Sequence, residues 1–241
     1  MPAPDNPGEL WTPLVFYCSV CGSELQEEER VQKCIYCGTE EECEWLCPHG
    51  HYVCEECRVA SAEEIIERTA LSTTESDPAS IATLLMRHPM FREHGPAHHL
   101  LVAPVILAAL RNQGYPIRKG ALRAALKRMK DIPHAACATR GDCGAAVGVG
   151  CAVSLLTGAK FRSDRERALT LQATAEAVRR LAEHGGARCC RQSVYSALES
   201  AAAFLERELG LILGISTPVF CPFSSTTEDC KKDACVYFGG R

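Results

Sequence analysis

"PAHHLLVAPVILAALRNQG", residues 96–114, is apolar enough to be buried, leaves the turn "REHGP" and stops at Gly114. A stretch of this kind reads as a central helix and needs other helices around it. They are present. "SAEEIIERTALS" has Ser61 as cap and acids in its first turn, and Asp77-Pro78 opens another helix. "IRKGALRAALKRMK" places Lys119, Arg123 and Lys127 on one face, "SDRERALTLQATAEAVRRLAEHGG" runs from a Ser163 cap to Gly185, and "RQSVYSALESAAAFLEREL" adds one more. Beyond residue 78 only short apolar pieces such as "LILGI" resemble strands, and no internal repeat is present.

The expected fold class is therefore mainly α, a helical C-terminal domain preceded by a small Cys-rich zinc-binding module. The expected boundaries are 1–60 for the module, 61–77 for a linker helix ending in the polar break "STTESDP", and 78–241 for the helical domain. Of the 241 residues 46% are hydrophobic and 23% charged, which suits one ordinary domain plus a small module. The first twenty residues show neither the basic start nor the apolar run of a signal peptide, so a cytoplasmic setting and no membrane partner are expected.

Sixteen cysteines in such a setting argue for metal ligands or catalytic thiols over disulfides. They fall into two groups of eight, residues 18–57 and 137–235. In the first, Cys18-x2-Cys21, Cys34-x2-Cys37 and "CEWLCPHGHYVCEEC" supply thiolates and histidine at the spacing of tetrahedral zinc. Two zinc ions fit. In a cross-brace, Cys18, Cys21, Cys47 and His51 hold one ion and Cys34, Cys37, Cys54 and Cys57 the other. In a sequential ribbon, Cys18, Cys21, Cys34 and Cys37 share one ion. Cys43 is surplus and reads as a surface or packing cysteine.

The second group is less regular. Cys221, Cys230 and Cys235 sit in a loop-like stretch near the C-terminus, and Cys189 and Cys190 follow a glycine pair in "GARCCRQS". Adjacent cysteines rarely bridge each other, so their partners lie elsewhere. Three C-terminal thiolates with one from Cys189 or Cys190 make the complement of a [4Fe-4S] cluster, and zinc could use the same ligands. Arg188, Arg191, Lys231 and Lys232 would offset the negative charge.

Two further segments stand out. "REHGPAHHLL" offers His94, His98 and His99, the last two in a first helical turn, where the local field keeps imidazole neutral. Neighbouring helix positions point about 100° apart, so the three do not share one small ion easily. "GDCGAAVGVGCAVSLLTGAK" is uncharged from Cys143 to Ala159 and carries four glycines, each costing about 1 kcal/mol against alanine in a helix. Close crossing by neighbouring helices explains them; so does a ligand at the helix start, with Cys143 as a thiolate.

"FREHGPAHHLLVAPVILAALRNQG", "GDCGAAVGVGCAVSLLTGA", "GGARCC", the closing cysteines and the front end "CIYCG" with "CPHGHYVCEEC" together resemble a bacterial and archaeal family known as a domain of unknown function. The resemblance spans residues 34–238. It implies that His94, His98, His99, Cys143, Cys189 and Cys190 belong to one site, without naming a reaction. A methyltransferase label carried by some relatives does not transfer, because no glycine-rich nucleotide turn follows a strand here.

Charge divides the chain: residues 1–77 carry 17 acidic and 4 basic side chains, residues 78–241 carry 13 and 22. Three functions fit these features. The first is an iron-sulfur enzyme of lyase or sulfur-transfer type, with three of Cys190, Cys221, Cys230 and Cys235 on the cluster, a histidine moving protons, Cys143 as nucleophile and a small or sulfur-containing substrate. The second is a non-catalytic binding or maturation factor whose zinc module docks a protein. The third is an RNA-modifying factor using Arg111, Arg118, Lys119, Arg123, Lys127, Arg128 and Lys130, seven bases with no acid among them.

Overall fold

A computed structural model describes residues 14–239. It is mainly helical. Strands β1 (Gln26–Lys33) and β2 (Glu40–Leu46) form an antiparallel hairpin, followed by α1 (Glu55–Arg58), α2 (Ala62–Ser72), α3 (Pro78–Met86), α4 (Ala97–Asn112) and α5 (Ala121–Met129). Then come α6 (Ala136–Thr139), α7 (Gly144–Thr157), α8 (Arg165–His184) and α9 (Cys190–Leu209).

The apolar helix is central. Along α4 every residue from Leu101 to Leu110 is buried, and α2, α3, α5, α7 and α9 pack around it. Each large side chain so buried contributes about 1.5–3 kcal/mol. Helix α7 lies between α4 and α8, and its glycines explain how. A Cβ on Gly148 would come 2.9 Å from Val102 Cβ, and one on Gly150 would come 2.0 Å from Thr174 Oγ1 and 2.9 Å from the Thr170 carbonyl. Close helix crossing thus accounts for these two glycines.

The helix starts follow local chemistry. Ser61 and Glu64 close a capping box on α2, and Asp77 accepts from the Ala79 amide with Pro78 in the first turn of α3. Two starts differ from expectation. Asp164, not Ser163, precedes α8; the Ser163 hydroxyl instead accepts from the Lys160 amide. Helix α5 begins only after Gly120, whose φ of +81° breaks the run, so Lys119 lies outside it.

The hairpin was not anticipated. Its strands are glutamate-rich, β1 almost wholly exposed and β2 half-buried only at Cys43, Trp45 and Leu46, so neither carries the sustained apolar alternation that marks a half-buried strand. The Cys34–Cys37 knuckle forms its turn: the Cys34 amide donates to the Thr39 carbonyl and the Gly38 amide to Cys34. Beyond the hairpin, Tyr36 is buried in the same apolar cluster as the helices, and His88 Nε2 lies 2.9 Å from the Cys57 carbonyl. The polar stretch after α2 is tied down as well, its carbonyls at Thr73, Glu75 and Ser76 accepting from Arg111, Asn112 and Gln113 of the α4 C-terminus.

Candidate metal centres

Two four-residue groups converge in the N-terminal part. Cys18, Cys21, Cys47 and His51 form one, Cys34, Cys37, Cys54 and Cys57 the other, and within each the ligand atoms all lie within 4.8 Å of one another. Cys21 Sγ is 3.5 Å from Cys47 Sγ, Cys47 Sγ is 3.6 Å from His51 Nδ1, and Cys37 Sγ is 3.6 Å from Cys54 Sγ. A zinc–sulfur bond of about 2.3 Å puts the corners of a tetrahedron about 3.8 Å apart, so these spacings suit one ion per group. The two groups interleave along the chain in the cross-brace order, and the ribbon's Cys18, Cys21, Cys34 and Cys37 do not form a group.

Local folding places these ligands. Each of the first two knuckles reverses through a glycine of positive φ, Gly22 at +73° and Gly38 at +77°, whose amide donates to the knuckle's first cysteine carbonyl. Crowding spreads the thiol acidities. Burial pushes Cys54 up to about 11, whereas at Cys37 burial is outweighed by the Thr39 hydroxyl and amide, leaving about 7. A bound cation would hold all four as thiolates. Cys43 stays outside, donating to the Arg30 carbonyl in the hairpin.

The second cysteine group gathers around the start of α9. Cys189, Cys221, Cys230 and Cys235 line one narrow cavity of about 20 Å3, room for on the order of one water. Three segments build it. Cys189 is the N-cap of α9, its Sγ 3.4 Å from the Gln192 amide; the Cys221 amide donates to the Tyr237 carbonyl; and Lys231, beside Cys230, reaches back to the Gly185 carbonyl. Burial pushes Cys221 up to about 11, with the nearby Cys189 and Cys235 adding to the effect and Arg191 opposing it. Cys190 does not line this cavity: it is buried on α9, one residue round the helix, and is replaced there by Cys189.

Of the four cations expected to offset the thiolates, Arg191 is the buried one. It lines the same cavity, is 6% exposed, stacks on Phe223 and bonds the Thr227 hydroxyl. Among the described residues no carboxylate pairs with it, and its Nε has no partner. A buried cation with no countercharge is costly, so the cavity suits an anionic occupant. Unlike the two N-terminal sets, no three of these four thiols lie within 4.8 Å of one another, so the wall is set wider than a single ion needs; four thiolates are also the usual complement of an iron-sulfur cluster.

The histidines surround this region. His98 is 1% exposed, edge-on to Phe91, and pushed down to about 3 by burial and then by the charge of Arg191. His99 is lowered by burial and then by Arg188, and its ring lies against Gly144, where a Cβ would come 2.2 Å from Cγ. His94 Nε2 is 3.9 Å from Asp229. Buried polar atoms with no hydrogen-bond partner concentrate here: Glu93, His94, His98, His99, Arg188 and Arg191 each contribute. Cys143, the N-cap of α7, shares a neighbouring cavity with Cys189. Of the six residues grouped by the resemblance, Cys143 and Cys189 line one cavity together and His99 packs on Gly144 at the start of α7, while His94, His98 and Cys190 line neither cavity.

The basic stretch is partly committed elsewhere. Arg123 pairs with Glu67, Lys130 with Glu63, and Arg111 donates to the Leu71 and Thr73 carbonyls. No helix among the described residues is long and apolar enough to cross a membrane.

Residues 66–238 match the model of a family described as a family of unknown function (DUF5714). No curated protein and no solved structure matches the chain.

Proposed function

As the chain belongs to this family of unknown function, whose description names no reaction, we propose that it is a cytoplasmic iron-sulfur protein stapled by two zinc ions. The zinc ions sit in the cross-brace, on Cys18, Cys21, Cys47 and His51 and on Cys34, Cys37, Cys54 and Cys57. A [4Fe-4S] cluster sits in the C-terminal cavity on Cys189, Cys221, Cys230 and Cys235. The observation that carries this reading is the buried Arg191 without a countercharge, facing a cavity walled by four cysteines from three segments.

Bound there, a cluster supplies one-electron transfer. Four cysteines on the wall favour full ligation over an open iron acting as Lewis acid, so a redox role is better supported than the lyase role. Around it the chain's own residues exclude water, with Phe223 and Tyr237 in the cavity wall, while Arg191 stabilises negative charge. Sixteen free thiols suit a reducing compartment.

Metal and sulfide analysis of full-length protein purified without oxygen tests this. The expected content per chain is about two zinc, four iron and four sulfide. Zinc alone, at about three per chain, would replace the cluster by a third zinc site.

A further inference from the structure

A second cavity, of about 420 Å3, shares Cys189 and Gln192 with the four-cysteine cavity and is sized for a small molecule. Three thiols line it: Cys137, Cys143 and Cys189. Cys143 and Cys189 are the N-caps of α7 and α9, helices of 14 and 20 residues, whose amide ends favour thiolate. Cys137 lies on α6, close enough for its charge to act on Cys143.

The chain turns sharply just before each of these two cysteines, both in the wall of the same cavity. Ala135 holds a left-handed φ of +61° just before Cys137, Gly141 one of +75° just before Cys143, and Arg140 pairs with Asp142 at the tip. A left-handed non-glycine residue persists only where the surroundings enforce it. The wall also carries Arg188, whose far end meets His134 Nε2 at 3.0 Å and whose buried Nε has no partner. No carboxylate among the described residues pairs with Arg188, which leaves it free for an anionic group on a ligand.

We propose that Cys137 and Cys143 are a dithiol that exchanges with a small anionic disulfide held in this groove. The Cys143 thiolate attacks one sulfur of R–S–S–R, forming a Cys143–S–S–R mixed disulfide and releasing one RS⁻. The Cys137 thiolate then attacks Cys143 Sγ, releasing the second RS⁻ and leaving a Cys137–Cys143 disulfide. The protein dithiol loses two electrons and two protons, and the ligand gains both as two thiols. Burial holds the Cys143 thiol above its ordinary value, so exchange speeds up as pH rises from 7 to 9. The groove's chemistry stands whatever fills the neighbouring cavity.

The test uses reduced, zinc-loaded full-length protein with oxidised glutathione as probe, followed by alkylation and trypsin. Cleavage after Arg140 separates the two cysteines, so the expected product joins peptide 131–140 to peptide 141–160, with fragment ions assigning the link to Cys143 and not Cys151. Cys137→Ser should trap glutathione on Cys143, and Cys143→Ser should abolish the link. Arg188→Gln should slow exchange with glutathione disulfide at least about threefold but not with uncharged 2-hydroxyethyl disulfide. Unchanged helical circular dichroism and thermal midpoint, together with retained zinc, report an intact fold in each variant. Absence of the 137–143 link, with both thiols free or each separately glutathionylated, overturns the proposal, as does an unchanged rate in Arg188→Gln.

Discussion

The Arg191 guanidinium carbon lies 4.4 Å from the ring centre of Phe223, and the pair closes one side of the cavity walled by Cys189, Cys221, Cys230 and Cys235. The stack satisfies the flat face of the cation but not its charge. Replacing Arg191 by Met therefore has opposite consequences in the two states. In metal-free protein it should raise stability by about 1–3 kcal/mol, by removing an unpaired buried charge. In metal-loaded protein it should lower the reduction potential of the centre and its retention on gel filtration. Urea unfolding of both forms checks the first outcome and redox titration the second.

Gly150→Ala should destabilise the helical core by about 2 kcal/mol or more, because the new methyl meets the Thr170 carbonyl as well as Thr174 Oγ1. Adding Thr174→Ala should recover only part of the loss, since the backbone contact stays. Thermal unfolding of the single and double variants measures it.

His98 makes stability depend on acid. Its folded pKa lies at about 3, below the ordinary value of 6.5, so between these values the unfolded chain holds a proton that the folded chain refuses. Stability then falls as pH drops through this window, by up to about 1.4 kcal/mol per pH unit for the one proton. His98→Phe removes the term. The difference in urea midpoint between wild type and variant should widen in the variant's favour from pH 7 to pH 4.5, and a constant difference would argue against a neutral buried imidazole.

Chelation should act unevenly on the two zinc groups. Around Cys18, Cys21, Cys47 and His51 the buried apolar set is only Cys18, Val20 and Cys47, whereas Cys34, Cys54, Cys57 and Tyr36 are continuous with the helical core. The first ion should leave first. Amides of β1 and β2 should then exchange freely in hydrogen-exchange mass spectrometry, while helical circular dichroism falls by less than about a tenth.

Much of this arrangement was legible in the residues. Ser61 with Glu64, Asp77 with Pro78 and the stop at Gly185 are local signals, decided within one turn, and the helices begin and end where they imply. The cysteine spacings already implied two four-ligand groups, but not which pairs share an ion, because that depends on how the hairpin folds back. The hairpin itself stayed hidden, since glutamate on both faces leaves no period to read. The choice between Cys189 and Cys190 rested on the phase of α9, which is set by its packing against α4, α7 and α8. Arg191 was legible as a cation beside the cysteines, but its burial and its lack of a carboxylate partner depend on the packing of distant segments.

The central claim is that Cys189, Cys221, Cys230 and Cys235 together hold an iron-sulfur centre. Mössbauer spectroscopy on anaerobic, iron-57-enriched wild type and on the Cys221→Ser, Cys235→Ser and Cys190→Ser variants, with zinc counted in the same samples, tests it most directly. The account expects cluster iron in wild type and in Cys190→Ser, its loss or sharp reduction in the other two, and about two zinc per chain throughout. Cluster iron that survives both Cys221→Ser and Cys235→Ser, or a wild type with zinc and no iron, would contradict it.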